Sequence, residues 1–295
     1  MTEPIQLPNG KAFSADGSTP GLHKQDVSES KGFEMGSGDL AALTTPPKFD
    51  KVEDTRQYLK TQLAAALRIF AKHGYDHHVA GHLTIRDPED PHTFWVNPFG
   101  LSFSLMTVSD LIQVNSQGKV IGGGKPGRQV VNLAGFLIHE NLHRARPDVN
   151  AVCHSHSTYG KAFSTLREDL PISTQDACSF YGDIVTMKQF GGVVITKGEG
   201  ELIAETLADK NSIILANHGI LTVGQTIESA VARFILLEEC CRVSLLARAA
   251  GKEVVIEDEA AAMTHKETGS ERSLYFLASP YFQVIEQEQG AQYRK

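Results

Sequence analysis

At 295 residues, with 41% hydrophobic and 21% charged side chains, the chain has the composition of a soluble globular protein with a sizeable core. A formal net charge of -7 with no basic block argues against nucleic acid as a partner, and no apolar stretch is long enough to span a bilayer. Cys153, Cys178, Cys240 and Cys241 form no CxxC and no framework spacing, and the N-terminus lacks the basic-then-apolar pattern of a secretory signal. A reduced, cytoplasmic protein is the expectation.

Residues 1–50 are rich in Gly, Ser, Pro, Lys and Asp with few periodic apolar positions, and read as a flexible N-terminal tail. Order is expected from Val52, where Leu59, Leu63, Leu67 and Phe70 share one helical stripe that stops at Gly74. GHLTIRD and HTFWVNP then read as strands joined by the turn-rich DPEDP, NPFG as a turn, and DLIQVNSQGKVIGG as a hairpin. A helix is predicted over Arg128 to Arg146, with Val131, Ala134, Ile138, Leu142 and Ala145 on one face and Pro147 as the stop. VNAVCHSH follows as a buried strand and a helix begins at Thr158. DIVTM and SIILANHG are further strands, with a helix at about 200–208 between them. A long helix runs from Ile227 to Ala250, and a last helical region at roughly 258–285 reads as a docking or tetramer-edge element. Strands and helices interspersed in this way indicate an α/β domain.

Four histidines fall in HENLHRARPDVNAVCHSH, residues 139–156. His139-Glu140-Asn141-Leu142-His143 spells HExxH, which on a helix puts both imidazoles on one face with the glutamate as base, as in a zinc protease. The extended form of that motif fails, because Arg146 and Val149 stand where its glycine and third histidine belong. His154 and His156 offer a different pair. Two residues apart on a strand, they face the same way, while Cys153 and Ser155 face the other. His218, closing a buried strand before a glycine turn in SIILANHGILTVG, supplies a third imidazole. Three neutral imidazoles with an open position suit a catalytic divalent ion, Zn2+ first and Mn2+, Co2+ or Fe2+ as alternatives.

RPDVNAVCHSHS, followed about sixty residues later by IILANHGILTVG and the helix TIESAVARFILLEECCRVSLLARAAG, resembles the class II aldolase/adducin family. The helix at 53–74, AGHLTIRD in place of the family's Gly-Asn, and NPFG in place of its Thr-Pro-Thr-Gly extend the resemblance to roughly residues 52–265. It implies a three-layer αβα fold with a central, mostly antiparallel sheet. It also implies a divalent metal held by His154, His156 and His218, and assembly as a homotetramer. The expected division is a tail over 1–50, a metal-binding domain over 51–265 and a C-terminal helical extension over 266–295.

The sequence also departs from the family's pattern. The acid/base glutamate, nineteen residues before the first ligand, corresponds to Gly135, and the two phosphate-binding serines to Leu133 and Ala134. Phe99, before Gly100, replaces the glycine-turn threonine, and His82 replaces the asparagine. Apolar side chains cannot satisfy phosphate oxygens. The expectation is therefore a lyase that makes or breaks a C–C bond in a non-phosphorylated carbonyl compound, by aldol chemistry or decarboxylation. Phe99, Gly100, Leu133 and Gly135 would face the substrate, and His139, Tyr181, Asp176 and His82 are the acid/base candidates. The competing expectation is an adducin-like interaction module in which the histidines hold a structural ion.

Overall fold

Strand alternation decides how this chain layers. In β5, Ala151–Ser155, the apolar side chains of Ala151 and Cys153 enter one hydrophobic cluster and Val152 enters another, as the two-residue period of a strand requires. The same division runs across an eight-stranded sheet of order β4-β3-β2-β1-β5-β8-β7-β6, built from β1 His82–Arg86, β2 Phe94–Val96, β3 Ile112–Val114, β4 Val120–Gly123, β5, β6 Ile184–Met187, β7 Ser212–Leu215 and β8 Gly219–Gly224. Every neighbouring pair is antiparallel except β6 and β7. The chain is described here by a computed structural model covering residues 45–192 and 197–295. Of the tail expected over 1–50, residues 1–44 lie outside the described part.

Seven α-helices accompany the sheet among the described residues: α1 Val52–Lys72, α2 Leu133–Ala145, α3 Thr158–Ser164, α4 Lys197–Leu207, α5 Ile227–Ala250, α6 Asp258–Thr268 and α7 Glu271–Tyr293. The larger core gathers Leu63, Leu67 and Phe70 of α1, Phe234 and Leu237 of α5 and Leu274 and Ile285 of α7 against one sheet face. The smaller core packs Phe136, Ile138 and Leu142 of α2 and Ile203 and Leu207 of α4 against the other. The result is the αβα sandwich with a mostly antiparallel sheet.

Two boundaries differ from the sequence reading. The helix expected from Arg128 starts at Leu133, because the Asn132 side chain accepts from the Gly135 amide and caps it. The last helical region is two helices, broken between Thr268 and Glu271, with Ser270 capping the second. The second of these, α7, docks on α1 and α5 as part of the larger core.

Candidate metal centre and the buried histidine array

β5 and the β7–β8 turn are brought together by the sheet. Residue 218 sits in the turn between those strands, where Asn217 takes a left-handed backbone and the His218 amide donates to the Leu215 carbonyl at 3.0 Å. Gly219 then passes the end of β5 so closely that a Cβ would lie 2.9 Å from the Ser155 carbonyl oxygen. This glycine lets His218 reach His154 and His156. The three rings meet edge to face, with centroids 4.7–5.3 Å apart, and one nitrogen from each lies within 4.8 Å of the others. Among the described residues they are the one such group of three metal-binding side chains.

The donor set fits a divalent cation. His154 Nδ1 lies 2.9 Å from the Ile220 carbonyl, so Nδ1 carries the proton and Nε2 keeps its lone pair for an ion, the usual support for a ligating imidazole. A tetrahedral zinc site needs nitrogens about 3.4 Å apart at Zn–N distances of ~2.0–2.1 Å, a modest closing of the observed cluster. Burial holds the His154 ring well below the ordinary histidine range, and repulsion from His218, His82 and His156 adds to it. His218 is held down to about 4 by burial and by His156. The rings are thus neutral, the form that binds metal. His154 is buried, and His156 and His218 are half-buried, leaving one side of the cluster open.

The second pair of histidines belongs to a separate array behind the first. His82 and Thr84, two residues apart on β1, face α2, where His139 and His143 lie one turn apart. The strand repeat of about 6.7 Å nearly matches the four-residue helical rise of about 6.0 Å, so the side chains mesh. His82 Nδ1 is 2.6 Å from His139 Nε2, Thr84 Oγ1 is 2.7 Å from His139 Nδ1, and the same hydroxyl is 2.9 Å from His143 Nε2. His82 pairs with His154 across the β1–β5 ladder, their ring centroids 4.9 Å apart. Burial keeps His82 and His139 well below the ordinary range, with the neighbouring imidazoles adding to the effect. The HExxH histidines are therefore spent on this array, and Glu140 faces Arg144 on its own helix.

Residues 61–245 match the Class II Aldolase and Adducin N-terminal domain. The chain belongs to the class II aldolase and adducin family. Decarboxylase NovR of Streptomyces niveus is 45% identical over 226 residues, 76% of this chain and 83% of its own length. A Streptomyces roseochromogenus protein named 4-hydroxy-3-prenylphenylpyruvate oxygenase/4-hydroxy-3-prenylbenzoate synthase is 44% identical over 226 residues, covering 76% and 80% of the two chains. The solved structure named L-fuculose 1-phosphate aldolase from Glaciozyma antarctica is 61% identical, with a TM-score of 0.83, over 88% of this chain and 100% of that one. The family is generally divalent-metal dependent and lyase-type, in keeping with the histidine cluster.

Against this class II aldolase frame, Gly135 stands out. A Cβ there would lie 2.3 Å from His82 Cδ2 and 2.7 Å from its Nε2: the His82 ring occupies the space a side chain at 135 would need. The crevice that they share with Asn97 and Asn132 is nearly closed, at about 10 Å³. Leu133 and Phe99 are exposed, with Gly100 beside Phe99 in a left-handed turn. A cavity of about 100 Å³ beside His218 is lined by Met187, Phe190, Leu202 and Ile203.

Asp176 and Tyr181 lie elsewhere. Both flank the short 3-10 turn Asp176–Phe180. Asp176 is exposed and acts on Cys240 and Tyr281, and Tyr181 bonds Asp258 at the start of α6. Of the four acid/base candidates, the structure brings only His82 and His139 to the metal-site histidines. Glu238, which the sequence shows only as a member of the helix Ile227–Ala250, braces the segment that follows His156. Its buried carboxylate accepts from Ser157 Oγ at 2.5 Å and from the amides of Tyr159 and Gly160 at 2.8 and 2.6 Å, seating α3 directly after His156. A charged residue on the apolar stripe of α5 was its signal.

Proposed function

We propose that this protein is a cytoplasmic, homotetrameric lyase that makes or breaks a C–C bond in a non-phosphorylated carbonyl compound, such as a 2-oxo acid. In this reading His154, His156 and His218 hold Zn2+ or a similar divalent ion, and His82 serves as acid/base. The observation that carries it is the exchange at Gly135: an imidazole beside the histidine cluster fills the place where the family has its carboxylate. A bound divalent ion there would polarise a substrate carbonyl and stabilise negative charge developing on its oxygen. His82 presents Nε2 to the crevice beside Gly135 and, kept neutral by burial, can accept a hydroxyl proton in retro-aldol cleavage or return one to carbon after loss of CO₂. The apolar wall beside His218 would take an apolar arm of the substrate, as the names of the two Streptomyces relatives suggest.

The name of the Glaciozyma structure favours a second reading, cleavage of a phosphorylated sugar. The apolar Leu133 and Phe99, which offer nothing to phosphate oxygens, weigh against it. Metal-loaded protein should turn over 4-hydroxyphenylpyruvate or a related 2-oxo acid and leave L-fuculose 1-phosphate intact, as followed by product chromatography. Efficient cleavage of the sugar phosphate would sink the leading reading. In the same preparations, His154→Ala/His156→Ala should lose the ion by elemental analysis, whereas His139→Ala/His143→Ala should keep it.

A further inference from the structure

The array behind His82 ends at the far edge of α2. His143, with 5% of its surface exposed, stacks on Phe94 at 5.1 Å between centroids and lines a cavity of about 470 Å³, whose rim includes the exposed His92, Ser116 and Arg144. Its Nδ1 is one of two buried side-chain polar atoms among the described residues without a hydrogen-bond partner. Burial and the Arg86 guanidinium hold this ring down to about 3, although the Val149 carbonyl favours a proton on it. A buried polar atom without a partner, on a ring that lines a cavity, and a series of short contacts from that ring to His82 beside His154 need a common explanation.

Proton counting supplies one. A neutral imidazole has one N–H and one lone pair, and a hydroxyl donates once while still accepting. With a proton at each link, His139 cannot receive at both nitrogens. The Thr84 hydroxyl bonds only His139 and His143 among the described residues, so its own proton also lies at a link, and two arrangements remain. In the first, His82, His139 and His143 all carry hydrogen on Nδ1, and each link donates away from the metal site. In the second, all three carry it on Nε2, and each link donates toward it. The first presents His82 Nε2 as a base beside Gly135 and the second presents it as an acid. The two differ by one proton moved from His143 Nδ1 to His82 Nε2, and no ring becomes charged in either.

We propose that His139, Thr84 and His143 form a proton conduit between the cavity at the outer edge of α2 and the acid/base His82. The proposal rests on the lyase reading for what the proton does. When carbon is protonated after C–C cleavage, the Nε2–H bond of His82 breaks and a C–H bond forms. His82 Nδ1 takes the proton of His139 Nε2, His139 Nδ1 takes that of Thr84, and Thr84 Oγ1 takes that of His143 Nε2. Water in the cavity protonates His143 Nδ1 and leaves hydroxide to the solvent. The unpartnered Nδ1 is then the inlet, and Thr84 is a positioning residue whose hydroxyl couples two rings that do not touch.

Two measurements test this. In metal-loaded protein, long-range nitrogen–proton NMR on labelled histidines should find His82, His139 and His143 sharing one tautomer; a mixed set overturns the conduit, and no variant is needed to see it. The second probe is pyruvate in D₂O, its methyl exchange followed by proton NMR. Thr84→Val should slow exchange by at least about tenfold with metal content and pyruvate affinity unchanged, and Thr84→Ser should restore it. Exchange in Thr84→Val at the wild-type rate overturns the conduit. Wild-type protein that holds its ion yet exchanges no pyruvate protons, while the rings still share a tautomer, overturns the lyase reading and leaves the conduit's geometry standing.

Discussion

Gly135 and His82 contend for one volume, so their substitutions should not add. Gly135→Glu alone drives a side chain into the imidazole, whose nearest atom would be 2.3 Å from the new Cβ, and overpacking of this kind costs about 1–3 kcal/mol or more. His82→Asn empties the space. The double variant His82→Asn/Gly135→Glu should therefore be more stable than the sum of the singles by about 1–3 kcal/mol in urea unfolding; simple additivity would mean that the ring can move aside at no cost. The three clustered imidazoles were legible in the sequence because a strand sends residues i and i+2 to one side and a glycine marks the turn at His218. The bond between His82 and His139 was not. It joins residues 57 positions apart through a strand–helix contact that no local spacing encodes, and the HExxH pattern pointed instead to a site of its own.

Among elements, α3 depends on Glu238. Its carboxylate receives the Ser157 hydroxyl and two backbone amides, and Gly160 leaves room for that approach, since a Cβ there would lie 2.9 Å from Glu238 Oε2. Glu238→Gln turns an N–H toward at least one of these donors. Thermal unfolding should show a loss of about 2 kcal/mol, and metal affinity, measured by competition with a chelator, should fall roughly tenfold because His156 immediately precedes the loosened segment. Unchanged affinity would confine Glu238 to helix capping. Helices with clear stripes and stops, such as Ile227–Ala250, were read at their true ends. The start of α2 was missed because Val131 continues the apolar period although Asn132 has already capped the helix, and the break at Gly269 was missed because the apolar pattern resumes directly after it.

For the whole molecule, neutral buried imidazoles make stability depend on acid. His143 is held down to about 3 and His218 to about 4, while the same groups in the unfolded chain titrate near the ordinary value of ~6.5. As pH falls from about 6.5 toward 4, the unfolded chain takes up protons that the folded one refuses, so folding stability declines across that window and is fully present above it. Metal-free protein should show a falling urea midpoint between pH 7 and pH 5, and His143→Gln should flatten part of the slope. A midpoint independent of pH would contradict neutral, buried rings. The αβα layering itself was readable from the alternation of strand and helix patterns, whereas the return of α7 onto α1 and α5 was not, because the contact is set by tertiary packing rather than by the periodicity of that segment.

The shared volume of Gly135 and His82 also imposes an order on descent. In a lineage holding a carboxylate at position 135 and asparagine at position 82, admitting histidine first would crowd its ring against an occupied site, at about 1–3 kcal/mol. Glycine first and histidine second is the less costly order, through an intermediate with neither group. Living relatives should accordingly pair glycine at 135 with a small residue at 82 more often than histidine at 82 with a larger residue at 135.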